Sequence, residues 1–155
     1  MTPVKQRNKH DPENGIYGDC HRAAIATVLD LDIDAVPHFA DGDPGDLIFA
    51  TREQEFLRAH GLFPIAFPFN VVEGQSLDEI LDMIGRLNGD DFVYLLGGKS
   101  RTGVNHTVVC QGGRIAHDPS PRDAGIVAPC DDGFYWLTFF SDLRVSRPSL
   151  REKAA

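Results

Sequence analysis

Three residues, far apart in the chain, have side chains that can divide an acyl-transfer reaction between them: Cys20, His106 and Asp118. A thiolate is a nucleophile, an imidazole takes and returns a proton, and a carboxylate holds the imidazole in one orientation. Cys20 stands in GIYGDCHR, at the seam between a glycine-rich turn and the apolar run AAIATVL. A helix N-terminus supplies partial positive charge and unpaired N–H donors, and both favour a sulfur anion. The same N–H groups can stabilise an oxyanion on a bound carbonyl compound. A small, inert, apolar cysteine is the competing reading of this position.

These residues need elements to place them. Asp19 is expected to cap the helix, its side chain accepting a backbone N–H of the first turn. Cys20 to Leu29 then reads as a helix buried on most sides, because Ala23, Ala24, Ile25, Thr27, Val28 and Leu29 leave little polar face. His106 opens the strand HTVVC (106–110), and RIAH (114–117) follows across Gly112-Gly113, a tight hairpin. In such a hairpin, residues whose numbers sum to about 225 lie opposite each other. His106 then faces the region of Asp118 and Pro119 as a cross-strand neighbour. Alone, His106 also fits a core histidine, and Asp118 before Pro119 fits an ordinary turn residue. Their pairing favours chemistry.

The remaining chain supplies the frame. LDIDAVPHF (31–39) suggests a short second helix closed by Pro37, and DGDPGD (41–46) is a loop. A third helix is expected from about Thr51 to His60, ending at Gly61, with Phe56 and Leu57 facing inward. LFPIAFPF (62–69) reads as a strand that Pro64 and Pro68 confine to an edge. SLDEILDMIGRLN (76–88) opens with the capping-box pair Ser76 and Glu79 and repeats apolar residues at helical spacing. DFVYLL (91–96) and FYWLTFF (134–140) complete the strands. The expectation is one α+β domain over residues 1–155, with an N-terminal helix cluster carrying the cysteine on an antiparallel sheet. Residues 1–13 are expected to form an irregular arm and 146–155 an irregular tail.

The other histidines have weaker cases. His21 lies about a quarter-turn past the cysteine and is poorly aimed as a base. His117 faces the side of the sheet opposite Asp118, and His38 and His60 sit at helix ends. Cys110, Cys130 and Trp136 read as core or near-core residues.

Composition narrows the class further. In 155 residues, 42% hydrophobic and 25% charged, there is material for one soluble domain with a core. No apolar stretch is long enough to span a membrane, and the polar start MTPVKQRNKHDPENG lacks a signal-peptide core. Three widely spaced cysteines argue for a reducing compartment, hence the cytoplasm. Without a CxxC pair a zinc site has little support, and no metal is expected. A net charge of −8 repels a phosphate backbone and argues against nucleic acid as a partner.

A cysteine at the start of a buried helix, then a histidine on one strand and an aspartate after the next, resembles the papain-like cysteine peptidases. GDCHRAAIATVL, NHTVV and IAHDPSP carry the likeness over roughly residues 14–140. The compact form looks like the small bacterial and phage-type branches of that superfamily. The resemblance implies a papain-like fold and a cofactor-free cysteine hydrolase that cleaves an amide or peptide bond through a thioester. Its substrates would be peptides, isopeptides or small amides. It assigns Cys20 as nucleophile, His106 as base and acid, and Asp118 as orienter. It also places an oxyanion hole at the Cys20 N–H and at Asn14, which stands where the family commonly has Gln. The loops 41–46 and 97–105 and the segment after Pro119 would flank the cleft. Two alternatives fit the same residues: an inactive binding or inhibitor module, and an acyl transferase to amines of transglutaminase-like type.

Overall fold

The computed structural model describes residues 1–144, so the expected tail at 146–155 lies outside the described residues. Three helices, α1 (Cys20–Leu29), α2 (Asp46–Ala59) and α3 (Leu77–Asn88), pack on five strands. The strands are β1 (Leu62–Phe69), β2 (Val93–Lys99), β3 (Asn105–Gln111), β4 (Arg114–His117) and β5 (Tyr135–Asp142). Every pairing is antiparallel and the order across the sheet is β1-β5-β2-β3-β4. The chain is an α+β domain.

Alternation along the central strands decides which helix covers which face. Leu95 of β2 and Val109 of β3 join Ala24, Ile25 and Ala26 of α1 and Leu57 of α2 in one core. Their neighbours Leu96, Val108 and Cys110 point the other way, into a second core with Leu81 and Ile84 of α3. Small alanines let α1 lie close against the sheet. Its first turn thereby reaches the end of β3 where His106 sits.

Several local expectations hold. Ser76 and Glu79 form the reciprocal capping box of α3. β1 is an edge strand, and Gly112 takes the positive φ (56°) that the β3–β4 turn needs. Others are corrected. LDIDAVPHF forms only one 3-10 turn, Ile33–Ala35, because the Asp32 side chain accepts the Asp34 N–H and Val36 is already extended. α2 begins at Asp46, five residues before Thr51, so the DGDPGD loop ends at Gly45. β2 runs on to Lys99 and pairs with β3 along its whole length.

The hairpin register is corrected too. Gln111 pairs with Arg114 and Cys110 with Ile115, both on the expected sum of 225, but Val109 pairs with His117. β4 therefore carries one extra residue, a β-bulge. The unshifted register would set His106 opposite residue 119 and aim Asp118 at the opposite face. The extra residue moves Asp118 onto the parity of His106.

Candidate active site

Cys20 is the first residue of α1, half-buried at the helix N-terminus. Asp19 precedes it, but the expected cap is absent: its side chain accepts no N–H of the first turn. One carboxylate oxygen of Asp19 instead accepts the N–H groups of Arg7 (3.0 Å) and Asn8 (2.8 Å), and Arg22 lies 3.6 Å from the other. A buried carboxylate needs partners, and the N-terminal arm supplies two at once. The first-turn N–H groups of α1 are left without a side-chain cap, next to the Cys20 thiol.

His106 is buried (6% exposed) near the start of β3, and its Nε2 lies 2.6 Å from Oδ1 of Asp118. Asp118 is fixed in turn: Oδ1 also accepts Ser120 N–H (2.8 Å) and Oδ2 accepts Gly125 N–H (2.7 Å). Burial alone would raise the Asp118 pKa, but His106 and these two N–H donors hold it down to about 2. For His106, burial pushes the pKa down. The Asp118 hydrogen bond and the neighbouring Cys20, as hydrogen-bond partner and negative charge, outweigh it and lift the value to about 9. With Nε2 taken by Asp118, Nδ1 is the ring nitrogen left for Cys20. The structure thus brings Cys20, His106 and Asp118 together.

The N-terminal arm is tied down along its length. Thr2 N–H donates to Asp30, Val4 N–H to the Thr27 hydroxyl, and Gln6 N–H to the Pro119 carbonyl (2.9 Å). Lys5 Nζ donates to the carbonyls of Asp118 and Ser120, both at 2.8 Å, and pairs with Asp123. The arm therefore bridges the helix that bears Cys20 and the loop that bears Asp118.

The other expected participants lie elsewhere. Asn14 is exposed, its amide donates to Asp11 (2.8 Å), and it does not line the cleft. Gln6 does line it, with Nε2 donating to the Asn8 carbonyl (2.9 Å). His21 is held by Glu53 (2.8 Å) and Thr107 (3.3 Å), a staple between α1, α2 and β3. His117 bonds the Val4 carbonyl, and His60 bonds the Phe56 carbonyl at the end of α2. His38 lies past the 3-10 turn rather than at a helix end and bonds the Tyr17 carbonyl. Cys110 is fully buried, and burial raises its pKa to about 12. Burial likewise raises half-buried Cys130, to about 11. Trp136 is half-buried and its indole N–H donates to Asp132.

Cys20 and His106 line an open cleft of about 910 Å³. Its walls are residues 100–104 between β2 and β3, Asn105 at the start of β3, residues 120–122, and Gln6, Arg7, Lys9 and His10 of the arm. The 41–46 loop does not reach it. The arm's share was missed because its residues have no periodicity and gave no local signal. Compared with models of known protein families, with curated proteins and with solved structures, the chain matches none. No described helix is long and apolar enough to cross a membrane.

Proposed function

We propose that the chain is a cysteine hydrolase of papain-like type that cleaves an amide bond through a thioester on Cys20. The observation that carries this reading is the convergence of a helix-terminal thiol and a buried carboxylate on one imidazole. The raised pKa of His106 beside Asp118 favours the imidazolium, the counter-ion that the Cys20 sulfur needs when it acts as nucleophile.

In the first half-reaction Cys20 Sγ attacks the carbonyl carbon of a bound amide. Uncapped N–H groups at the start of α1 receive the negative charge that develops on the carbonyl oxygen. The Gln6 amide lines the cleft, as Asn14 does not, and is a side-chain donor that can join them. His106 gives its proton to the departing nitrogen as the C–N bond breaks, leaving a thioester and a free amine. A water then attacks the thioester carbon and passes its proton to His106. The C–S bond breaks, the carboxylic acid leaves, and Cys20 and His106 return as the thiolate and imidazolium. Asp118 holds the ring throughout and stabilises its cationic form.

The test is selective alkylation. With iodoacetamide at about pH 6, Cys20 should react far faster than Cys110 or Cys130, read by peptide mass spectrometry, because an ordinary thiol is almost fully protonated there. Equal rates at the three cysteines would refute an activated thiolate.

A further inference from the structure

A chain of net charge −8 has an active-site cleft whose unpaired charges are positive. Lys9 comes from the arm, Arg101 from the β2–β3 loop, and Arg122 from the segment after Asp118; all three line the cleft with Cys20 and His106. Among the described residues, none of the three has an ion-pair partner. The acids at the cleft are taken: Asp118 by His106 and Asp131 by Lys99 at 2.5 Å. Arg7 is likewise neutralised, by Asp34.

Arg101 is held in place from its other side. Its main-chain N–H and its Nε both donate to the Ala124 carbonyl (3.2 and 3.0 Å), and Nη2 donates to the Asp123 carbonyl (2.8 Å). Carbonyls orient a guanidinium without cancelling its charge, and Nη1 remains open. An anchored, uncancelled arginine binds an anion with little further loss of side-chain entropy. Ser100 and Thr102, whose hydroxyls bond each other at 2.9 Å, flank it.

We infer that the cleft selects acidic peptides, with a substrate carboxylate beside the scissile amide held by Arg101 and drawn in by Lys9 and Arg122. This rests on the hydrolase reading above. Positive walls in a concave site concentrate small anions, whereas the strongly negative remainder of the molecule turns away long polyanions. A short peptide with one or two carboxylates satisfies both conditions.

The experiment compares two alkylating reagents that differ by one charge. The ratio of iodoacetate to iodoacetamide rate constants at Cys20 is measured in the wild type and in a Lys9→Gln/Arg101→Gln/Arg122→Gln variant. Because each reagent displaces iodide at the same sulfur, the ratio cancels changes in the thiol itself. The ratio is expected to fall about tenfold in the variant. In the wild type it should also fall as ionic strength rises from about 0.01 M to about 1 M, a measurement that needs no variant to fold. Peptide pools matched except for Glu against Gln beside each amide should be cleaved with a preference for Glu. A ratio unmoved by substitution and by salt, or a pool preference for Gln, overturns the acidic-peptide inference and leaves the hydrolase reading standing. Iodoacetamide reacting no faster at Cys20 than at Cys130 overturns the hydrolase reading instead, and with it the substrate.

Discussion

His106 Nε2 lies 2.6 Å from Asp118 Oδ1, although the two residues are not partners in the β3–β4 ladder. The contact exists because β4 carries one residue more than β3 between the pairs Cys110–Ile115 and Val109–His117. One extra residue reverses which face each following side chain takes. Aimed this way, the Asp118 carboxylate keeps two backbone N–H donors and the imidazole in reach together.

His106 and His21, the histidine that follows Cys20 in the chain, are expected to differ on substitution. His106→Ala should lower the iodoacetamide rate at Cys20 near neutral pH by about tenfold or more, since an ordinary thiol is only a few per cent thiolate there. His21→Ala should leave that rate close to wild type and instead lower Tm, because it strips Glu53 (7% exposed) of its partner. The opposite pattern in labelling and melting would move the base to His21.

Asp118→Asn should lower the His106 titration midpoint, followed by NMR of the ring protons, since the carboxylate is the main force raising it. The same pair makes stability depend on pH. His106 has a raised pKa, so its contribution is complete below the unfolded value of 6.5 and fades as pH climbs through about 9. Asp118 has a lowered pKa, so its contribution is complete above 3.8 and fades as pH falls through about 2. The Tm gap between wild type and a His106→Ala/Asp118→Asn variant should therefore be widest between those unfolded values, 3.8 and 6.5. A gap that is flat from acid to alkali would contradict the coupling.

Asp19→Ala tests the arm. Asp19 has no exposed side-chain surface, and its loss leaves the Arg7 and Asn8 N–H groups without their acceptor and removes the carboxylate that faces the Arg22 guanidinium at 3.6 Å. Each buried orphan costs about 1–3 kcal/mol, so roughly 3 kcal/mol of stability should disappear in urea unfolding. Amide hydrogen exchange should rise first at Arg7 and Asn8, whose N–H groups the carboxylate accepts, before Val4, which Thr27 holds. Unaltered protection there would place the anchor elsewhere.

Gly85 sets helix preference against packing. Alanine in the middle of α3 would gain about 1 kcal/mol in helix propensity. Its Cβ, however, would lie 2.8 Å from Gly113 Cα and 2.9 Å from the Gly112 carbonyl carbon, on backbone that cannot turn aside. Overpacking of that kind costs about 1–3 kcal/mol. Gly85→Ala should therefore destabilise the protein, and a rise in Tm would show that the β3–β4 turn yields easily.

By itself the sequence determined the local pieces. The apolar run after Cys20 dictates α1, Ser76 and Glu79 dictate the start of α3, and Gly112-Gly113 dictates the hairpin, because helix periodicity, capping and turn chemistry act within a few residues. That was enough to single out Cys20, His106 and Asp118 by residue type and order. Only the tertiary structure decided how they meet. The bulge that aims Asp118 has no marker in RIAH, since register is settled by packing on two faces rather than by the strand's own residues. Asp19, read locally as a cap, turned to the arm instead, where Arg7 and Asn8 offer two donors from eleven and twelve residues away. The arm itself, with its Lys5 bonds spanning 113 and 115 residues, gains its place on the body from partners that folding brings to it.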